Sequence, residues 1–435
     1  MATKTVLAAA MATLVAMPAA AQSARDKLAF LIPTLYGPTG LVVDSEARLP
    51  SGETHSAHFN SAFQAEFTQF NIALASQLAA VPLPSSASGF TYELDPTLGV
   101  FRRSTQSFGP ILAERAETIG KGKFSVGFSY QLFTFDTLEG VSLDQVPAVF
   151  THDDPASGGR ADIVTTLNSI DARVGQATAF FTFGLLDRVD LSVAVPLVTV
   201  DMDVSSNASV QRIGTATSPA THFFRDGSGG FGSSRLYSGS GTASGIGDVI
   251  LRLKANVFKG GQTAMALGVD SRLPTGDEED LLGSGAPGVK PFLAVSFANR
   301  NFAPHLNLAY QWNGDSVLAG DIMTGEKGDM PDQILYTAGL DVGLTEKVTI
   351  AFDVLGRHVL DSPRLQSTVF RAIDVGSTFP NIHFETGSFS VVDGAVGIKI
   401  NLAGRLLADF NALFKLNDAG LRDTFTPLFG IEYSF

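Results

Sequence analysis

Phe124-Ser125-Val126-Gly127-Phe128-Ser129-Tyr130-Gln131-Leu132 alternates large apolar side chains with small or polar ones without a break. A strand turns successive side chains to opposite faces, so one face of this segment is wholly apolar and the other polar or bare. Working outward, segments of the same kind recur at about 172–184, 188–203, 246–258, 263–273, 287–298, 302–313, 332–343, 347–359, 389–402, 405–416 and 425–435. Together they make twelve strands, each as long as a tilted strand needs to be to cross a bilayer.

The connections alternate in length. They are long at 136–171, 204–245, 274–286, 314–331, 360–388 and 417–424, and short at 185–187, 259–262, 299–301, 344–346 and 403–404. A transmembrane barrel has short turns on one side and long loops on the other. A soluble sandwich has no physical reason for such two-sidedness. The expected fold is therefore all-β, an antiparallel transmembrane β-barrel of about twelve strands with an N-terminal amphipathic helix.

Composition supports this. The 435 residues carry a formal net charge of −13, no cysteine, 44 glycines and 33 phenylalanines. Without cysteine there is no disulfide scaffold and no thiolate metal site. An acidic chain without a basic stripe is a poor nucleic-acid binder. No apolar run long enough for a spanning helix occurs beyond the N-terminus. Residues 1–21 read as a signal peptide: Lys4, an apolar stretch Val6–Met17, then Pro18 and Ala19-Ala20-Ala21, with cleavage after Ala21. Residues 22–121 form an N-terminal segment, and 122–435 the barrel.

The facing of the strands follows from charge. Val249, Leu251, Leu253, Ala255 and Val257 share one face, and Asp248, Arg252, Lys254 and Asn256 the other. Leu306, Leu308, Tyr310 and Trp312 oppose His305, Asn307, Gln311 and Asn313; Ile350, Phe352 and Val354 oppose Asp353 and Arg357; Val396, Ile398 and Ile400 oppose Lys399. A charge on the lipid face costs about 2–4 kcal/mol at the midplane. The polar set, with Asp270, Arg272 and Asp341, must line the lumen, where these side chains either pair and hold the N-terminal segment or border a solute path. A solid apolar core is excluded on this reading.

In the N-terminal segment, Phe59, Phe63, Phe67, Phe70, Leu74 and Leu78 recur at helical spacing, with Thr54 as cap and Pro82 as stop. The expectation is an amphipathic helix over 54–81, docked on the barrel or plugging it. Two short β-like stretches in the connector at 88–105 could raise the count to fourteen strands.

Chemical motifs are few. His55-x-x-His58 has ligand-like spacing but lacks a third ligand in sequence. The sequence holds no Gly-x-Ser-x-Gly, no His-Glu-x-x-His and no phosphate-binding loop. No enzyme and no cofactor is expected. Asp277, Glu278, Glu279 and Asp280 are oxygen-rich enough to be weak candidates for a divalent cation or for cations shared with lipopolysaccharide, although a solvated acidic loop explains them as well. Gly/Ser-rich 226–247 reads as a mobile loop.

The chain ends Phe429-Gly-Ile431-Glu-Tyr433-Ser-Phe435. This resembles the last strand of bacterial outer-membrane proteins, in which residues such as Tyr433 and Phe435 are read by the barrel-assembly machinery. Four further stretches carry a family resemblance: Gly184-Leu-Leu-Asp187-Arg188 through Pro196, Gly247-Asp248 through Lys254, Arg272-Leu-Pro274-Thr-Gly276-Asp277 through Phe292, and Leu416-Asn417-Asp418 through Asp423. They resemble the bacterial outer-membrane barrels named for the meta-pathway of phenol degradation, loosely related to the fourteen-stranded long-chain fatty-acid transporters. The resemblance covers about 107–435. It implies an outer-membrane channel for small hydrophobic or aromatic solutes, in contact with outer-membrane lipid and lipopolysaccharide. Alternatives from the residues alone are an envelope or surface-binding barrel without transport and, least supported, an outer-membrane hydrolase.

Overall fold

The computed structural model describes residues 27–37, 40–45, 57–59, 69–80, 85, 89, 92–95, 100–103, 106–151, 162–213, 222–225, 230–372 and 376–435. The expected signal peptide lies outside them. Twelve antiparallel strands form the barrel: β1 Phe124–Phe135, β2 Asp162–Leu186, β3 Val189–Arg212, β4 Val249–Gly260, β5 Thr263–Leu273, β6 Gly288–Phe297, β7 Phe302–Asn313, β8 Gln333–Thr345, β9 Val348–Arg371, β10 Thr378–Ala403, β11 Leu406–Lys415 and β12 Phe425–Ser434. Each pairs with its neighbours in sequence, and β12 closes on β1, with Tyr433 opposite Val126 and Ile431 opposite Phe128. The Phe435 amide donates to the Phe124 carbonyl at 2.7 Å. A closed barrel leaves no edge and satisfies every ladder group internally, which is what a β-structure needs to cross a membrane. Leu251, Leu253, Leu306, Leu308, Phe352 and Val354 are exposed on its outer face, the apolar wall a transmembrane barrel presents to lipid.

Four strands outrun the membrane. β2, β3, β9 and β10 span 25, 24, 24 and 26 residues, where the sequence patterns mark only their lower parts. Two extra strands extend this upper wall: Val146–Thr151 pairs with β2, and Ser234–Ile246 pairs with β3. The second falls inside the stretch read as a mobile Gly/Ser loop. Its small residues instead pair register for register with β3 from Leu197 to Ser209. The connector contributes Tyr92–Asp95 and Val100–Arg103, which among the described residues pair with each other and not with a barrel strand.

Along β3 the apolar face changes sides. Leu191 and Leu197 point outward, 40% and 37% exposed, while Asp190 points inward and is fully buried. Beyond Leu197 the inward residues are Val198, Val200, Met202 and Val204, all nearly inaccessible, and the outward ones are Thr199, Asp201 and Asp203. Where lipid surrounds the wall, apolar side chains face out; where water surrounds it, they face in. This corrects the expectation that no apolar core exists. The lumen is polar at the membrane level, but the upper barrel encloses a core of Val198, Val200, Met202, Phe133, Phe135 and Val174, on which Leu28, Phe59, Phe70 and Leu74 pack.

The helix is also corrected. Among the described residues it runs from Gln69 to Ala79, here α1. Phe59 belongs to a strand, Ala57–Phe59, paired with Leu41–Ser45, and its ring meets His222 edge-on at 5.3 Å. Phe63 and Phe67, Thr54, His55 and Pro82 lie outside the described residues. Serine, asparagine and histidine around Phe59 are weak helix formers, and a core position satisfies an aromatic residue in a strand as well as in a helix. Nor is α1 two-faced: Phe70 and Leu74 are buried, but so are Asn71 and Ser76.

Candidate functional site

The lumen at membrane level is crossed by an extended stretch, residues 106–119, bonded to the wall strand by strand. Its amides seek partners because they run inside the protein without a ladder. Phe108 N donates to Thr349 Oγ1 of β9 at 3.0 Å. Ile111 N and Leu112 N both donate to Asp353 Oδ2, at 3.3 and 3.2 Å. Glu114 exchanges two bonds with Asn307 of β7, at 2.7 and 2.8 Å. Ala116 N donates to Ser296 Oγ of β6 and Asn256 Nδ2 of β4 to Ala116 O, at 2.9 and 2.8 Å. Ile119 N reaches Asp190 of β3 at 3.1 Å. The stretch thus follows one side of the inner wall from β9 down to β3 before entering β1.

Charges fasten it at the centre. Arg252 forms a bidentate pair with Asp270, at 2.6 and 2.7 Å, and also contacts Glu114. Lys254 Nζ, fully buried, reaches Glu114 Oε1 at 2.7 Å and the carbonyls of Arg115 and Glu117 at 3.1 and 2.7 Å. His305 lies between two carboxylates, 2.6 Å from Asp353 and 3.3 Å from Asp341, and Asp341 accepts the Ser107 hydroxyl.

Above this layer α1 caps the lumen. Arg272 and Gln311 donate to the Ala79 carbonyl, each at 3.1 Å, and Arg357 donates to Gln77 Oε1. Leu78 is half-buried beside them. Asp248 and Arg272 also fold the loop 274–286 inward: Asp248 accepts from Ser284 N and Oγ at 2.8 and 2.6 Å, and Arg272 holds Ala286 O. Leu281 and Leu282 thereby enter the core.

All twelve lumen candidates point inward. Lys399 and Asp409, paired across β10 and β11, border a lower cavity with Ser125, Ser192 and Glu432. Between the crossing stretch and α1 lies a chamber open to water-sized molecules over about 120 Å³, with Phe133, Phe292, Leu335, Leu355 and Leu413 on its apolar side. Arg252 borders both cavities. Sequence reasoning missed Glu114, Gln77, Lys290 and Asp190. The usable signal for Glu114 was the buried Lys254, which needs a carboxylate from somewhere.

Of the other candidates, Asp277, Glu279 and Asp280 surround the Lys27 ammonium at 2.5, 3.5 and 3.6 Å, and Glu278 turns aside to Ser316. Tyr433 and Phe435 stack edge-on at 4.7 Å on the outer face at the closing seam. His358 Nδ1 lies 2.9 Å from the Ser390 hydroxyl, a serine partner the sequence alone did not assign. No carboxylate orients that imidazole among the described residues.

Residues 152–326 match the family described as putative MetA-pathway of phenol degradation. Over that stretch, less than half of its length, the chain is similar to this family. The match runs from β2 past β7 and includes Asp248, Arg252, Lys254, Asp270 and Arg272. No curated protein matches the chain. Among solved structures, an outer membrane channel from Pseudomonas putida F1 is 13% identical, over 74% of this chain and 98% of that one, with a TM-score of 0.44. A Pseudomonas aeruginosa FadL homologue is 10% identical over 82% and 98%, TM-score 0.33. The P. putida toluene transporter TodX is 9% identical over 72% and 89%, TM-score 0.30.

Proposed function

We propose that the protein is an outer-membrane channel for small molecules with an apolar body, gated by its N-terminal segment. The observation that carries this reading is the arrangement of two cavities in one lumen, meeting at Arg252 and divided by a stretch whose bonds to the wall come largely from side chains. Side-chain bonds can be exchanged without breaking the barrel ladders. The chamber's lining is about half apolar and half polar, with Glu114, Arg252, Lys290, Arg357 and Asp393 among its charged groups, which suits a solute with both an apolar body and a polar end, and the phenol-degradation description of the family points to aromatic solutes.

Conductance in a planar bilayer tests it. The full chain is expected to be nearly silent, and a chain lacking residues 22–119 to conduct in steady steps. Silence in both forms, with no solute uptake into liposomes, favours an envelope or surface-binding barrel. A hydrolase is disfavoured because Nδ1 of His358 faces Ser390 with no carboxylate among the described residues to orient the ring. The pure protein is expected to show no Ser390-dependent ester hydrolysis.

A further inference from the structure

Most charges inside the lumen are matched, the buried Lys399 of the lower cavity and Arg357 of the chamber having no ion pair among the described residues. Arg252, Lys254 and Lys290 meet Glu114, Asp270 and Asp190, with Lys290 3.1 Å from Asp270. Arg272 faces Asp248 at 3.7 Å. Asp393, on the chamber wall, is taken by Arg422. Arg357 differs. It lines the chamber, its one hydrogen bond among the described residues is to the neutral amide of Gln77, and its buried Nε has no partner there. No carboxylate lies within ion-pair distance of it among the described residues. An unpaired guanidinium in an enclosed lumen is costly, and a planar anion offsets that cost with two parallel N–H···O bonds.

We infer that the chamber binds organic carboxylates, with the carboxylate on Arg357 and the apolar body against Phe133, Phe292 and Leu355. The inference rests on the channel reading and narrows its solutes to amphipathic acids. A carboxylate on Arg357 competes with Gln77 for the same guanidinium and so bears on one of the bonds that tie α1 to the wall. The neighbouring carboxylates do not block it, because Glu114 and Asp393 are each committed to cations of their own.

The test is calorimetric titration of the full mature chain in detergent with benzoate and with benzyl alcohol, its neutral counterpart. Benzoate is expected to bind at least tenfold more weakly to Arg357→Gln than to the unaltered protein, with Arg357→Lys between them. Benzyl alcohol should bind both equally. Far-ultraviolet circular dichroism checks that each variant keeps its barrel. If Arg357→Gln does not fold, the preference of the unaltered protein for benzoate over benzyl alcohol, and its loss in high salt, decides. Equal binding of acid and alcohol, or benzoate binding indifferent to Arg357→Gln, overturns the carboxylate assignment and leaves the channel reading standing. Binding of neither probe overturns both.

Discussion

Lys254 Nζ lies 2.7 Å from Glu114 Oε1 in the middle of a transmembrane barrel, and the lysine is wholly inaccessible to solvent. The two residues are 140 positions apart. One belongs to the wall and the other to the stretch that crosses the lumen, so their bond decides how firmly that stretch is held. Lys254→Met leaves Glu114 to Arg252 and Ser85 alone and removes the donor to two carbonyls. Breaking a buried pair from one side costs about 3–5 kcal/mol. Lower thermal stability and more frequent openings in bilayer recordings are expected. Glu114→Gln with Lys254→Met removes both charges and should recover most of the stability but not the closed state. If the double variant is as silent as the unaltered chain, the pair does not hold the gate.

Asp353 holds the same stretch from the other side, accepting from Ile111 and Leu112 while facing His305. Asp353→Ala orphans two buried amides, each worth about 1–3 kcal/mol. Because Asp353 is on β9 and Lys254 on β4, the two sites are independent anchors, and combined substitutions should add. Hydrogen exchange at Ile111 and Leu112 is the direct readout. Faster exchange there with unchanged protection in β9 is the expected result.

The strands were legible because lipid imposes a strict rule on them. The outward positions, such as Leu251 and Leu253 on β4 or Leu306 and Leu308 on β7, must be apolar, and no interior arrangement can relax it. The inward set from Asp248 to Lys399 was legible as its complement. The partners were not. Glu114 precedes β1 in an irregular stretch without periodicity, and its meeting with Lys254 depends on how far the chain is drawn across the lumen. Phe59 failed for the opposite reason: it shares the aromatic spacing but is buried from a strand, whereas Phe70, Leu74 and Leu78 do lie on α1. The strand Ser234–Ile246 was hidden because small residues on a water-facing wall carry little hydrophobic contrast.

Gly184 tests how the crossing stretch joins β1. Its amide donates to Lys123 O at 3.0 Å, and its carbonyl accepts from Gly122 N at 2.8 Å. A Cβ at this position would lie 1.9 Å from the Gly120 carbonyl oxygen, backbone that has no room to yield. Gly184→Ala is therefore expected to cost about 1–3 kcal/mol, as overpacking does, and to detach residues 120–123 locally. A lowered unfolding temperature in detergent together with protease cleavage near Lys121 or Lys123 would show it. An alanine variant as stable and as protected as the parent would mean that this junction is looser than the geometry describes.

The change of face on β3 predicts where the bilayer ends. Below Leu197 the outward positions, Leu191 and Val193 among them, meet lipid. Leu191→Arg should cost about 2–4 kcal/mol if it lies near the midplane and less toward the interface. Above Leu197 the rule inverts. Asp201 already faces water and accepts the Thr242 hydroxyl at 2.6 Å, so Asp201→Lys should cost no more than about 1 kcal/mol, the worth of one exposed hydrogen bond. Val200→Asp places an unpaired charge in the upper core and should be the most damaging of the three. Refolding yield into phosphatidylcholine vesicles and into detergent separates the two regimes. Leu191→Arg should fail more in vesicles than in detergent, whereas Val200→Asp should fail equally in both, because its cost arises inside the protein. If Val200→Asp folds as well as Asp201→Lys, the upper wall does not enclose a core, and the bilayer boundary is not at Leu197.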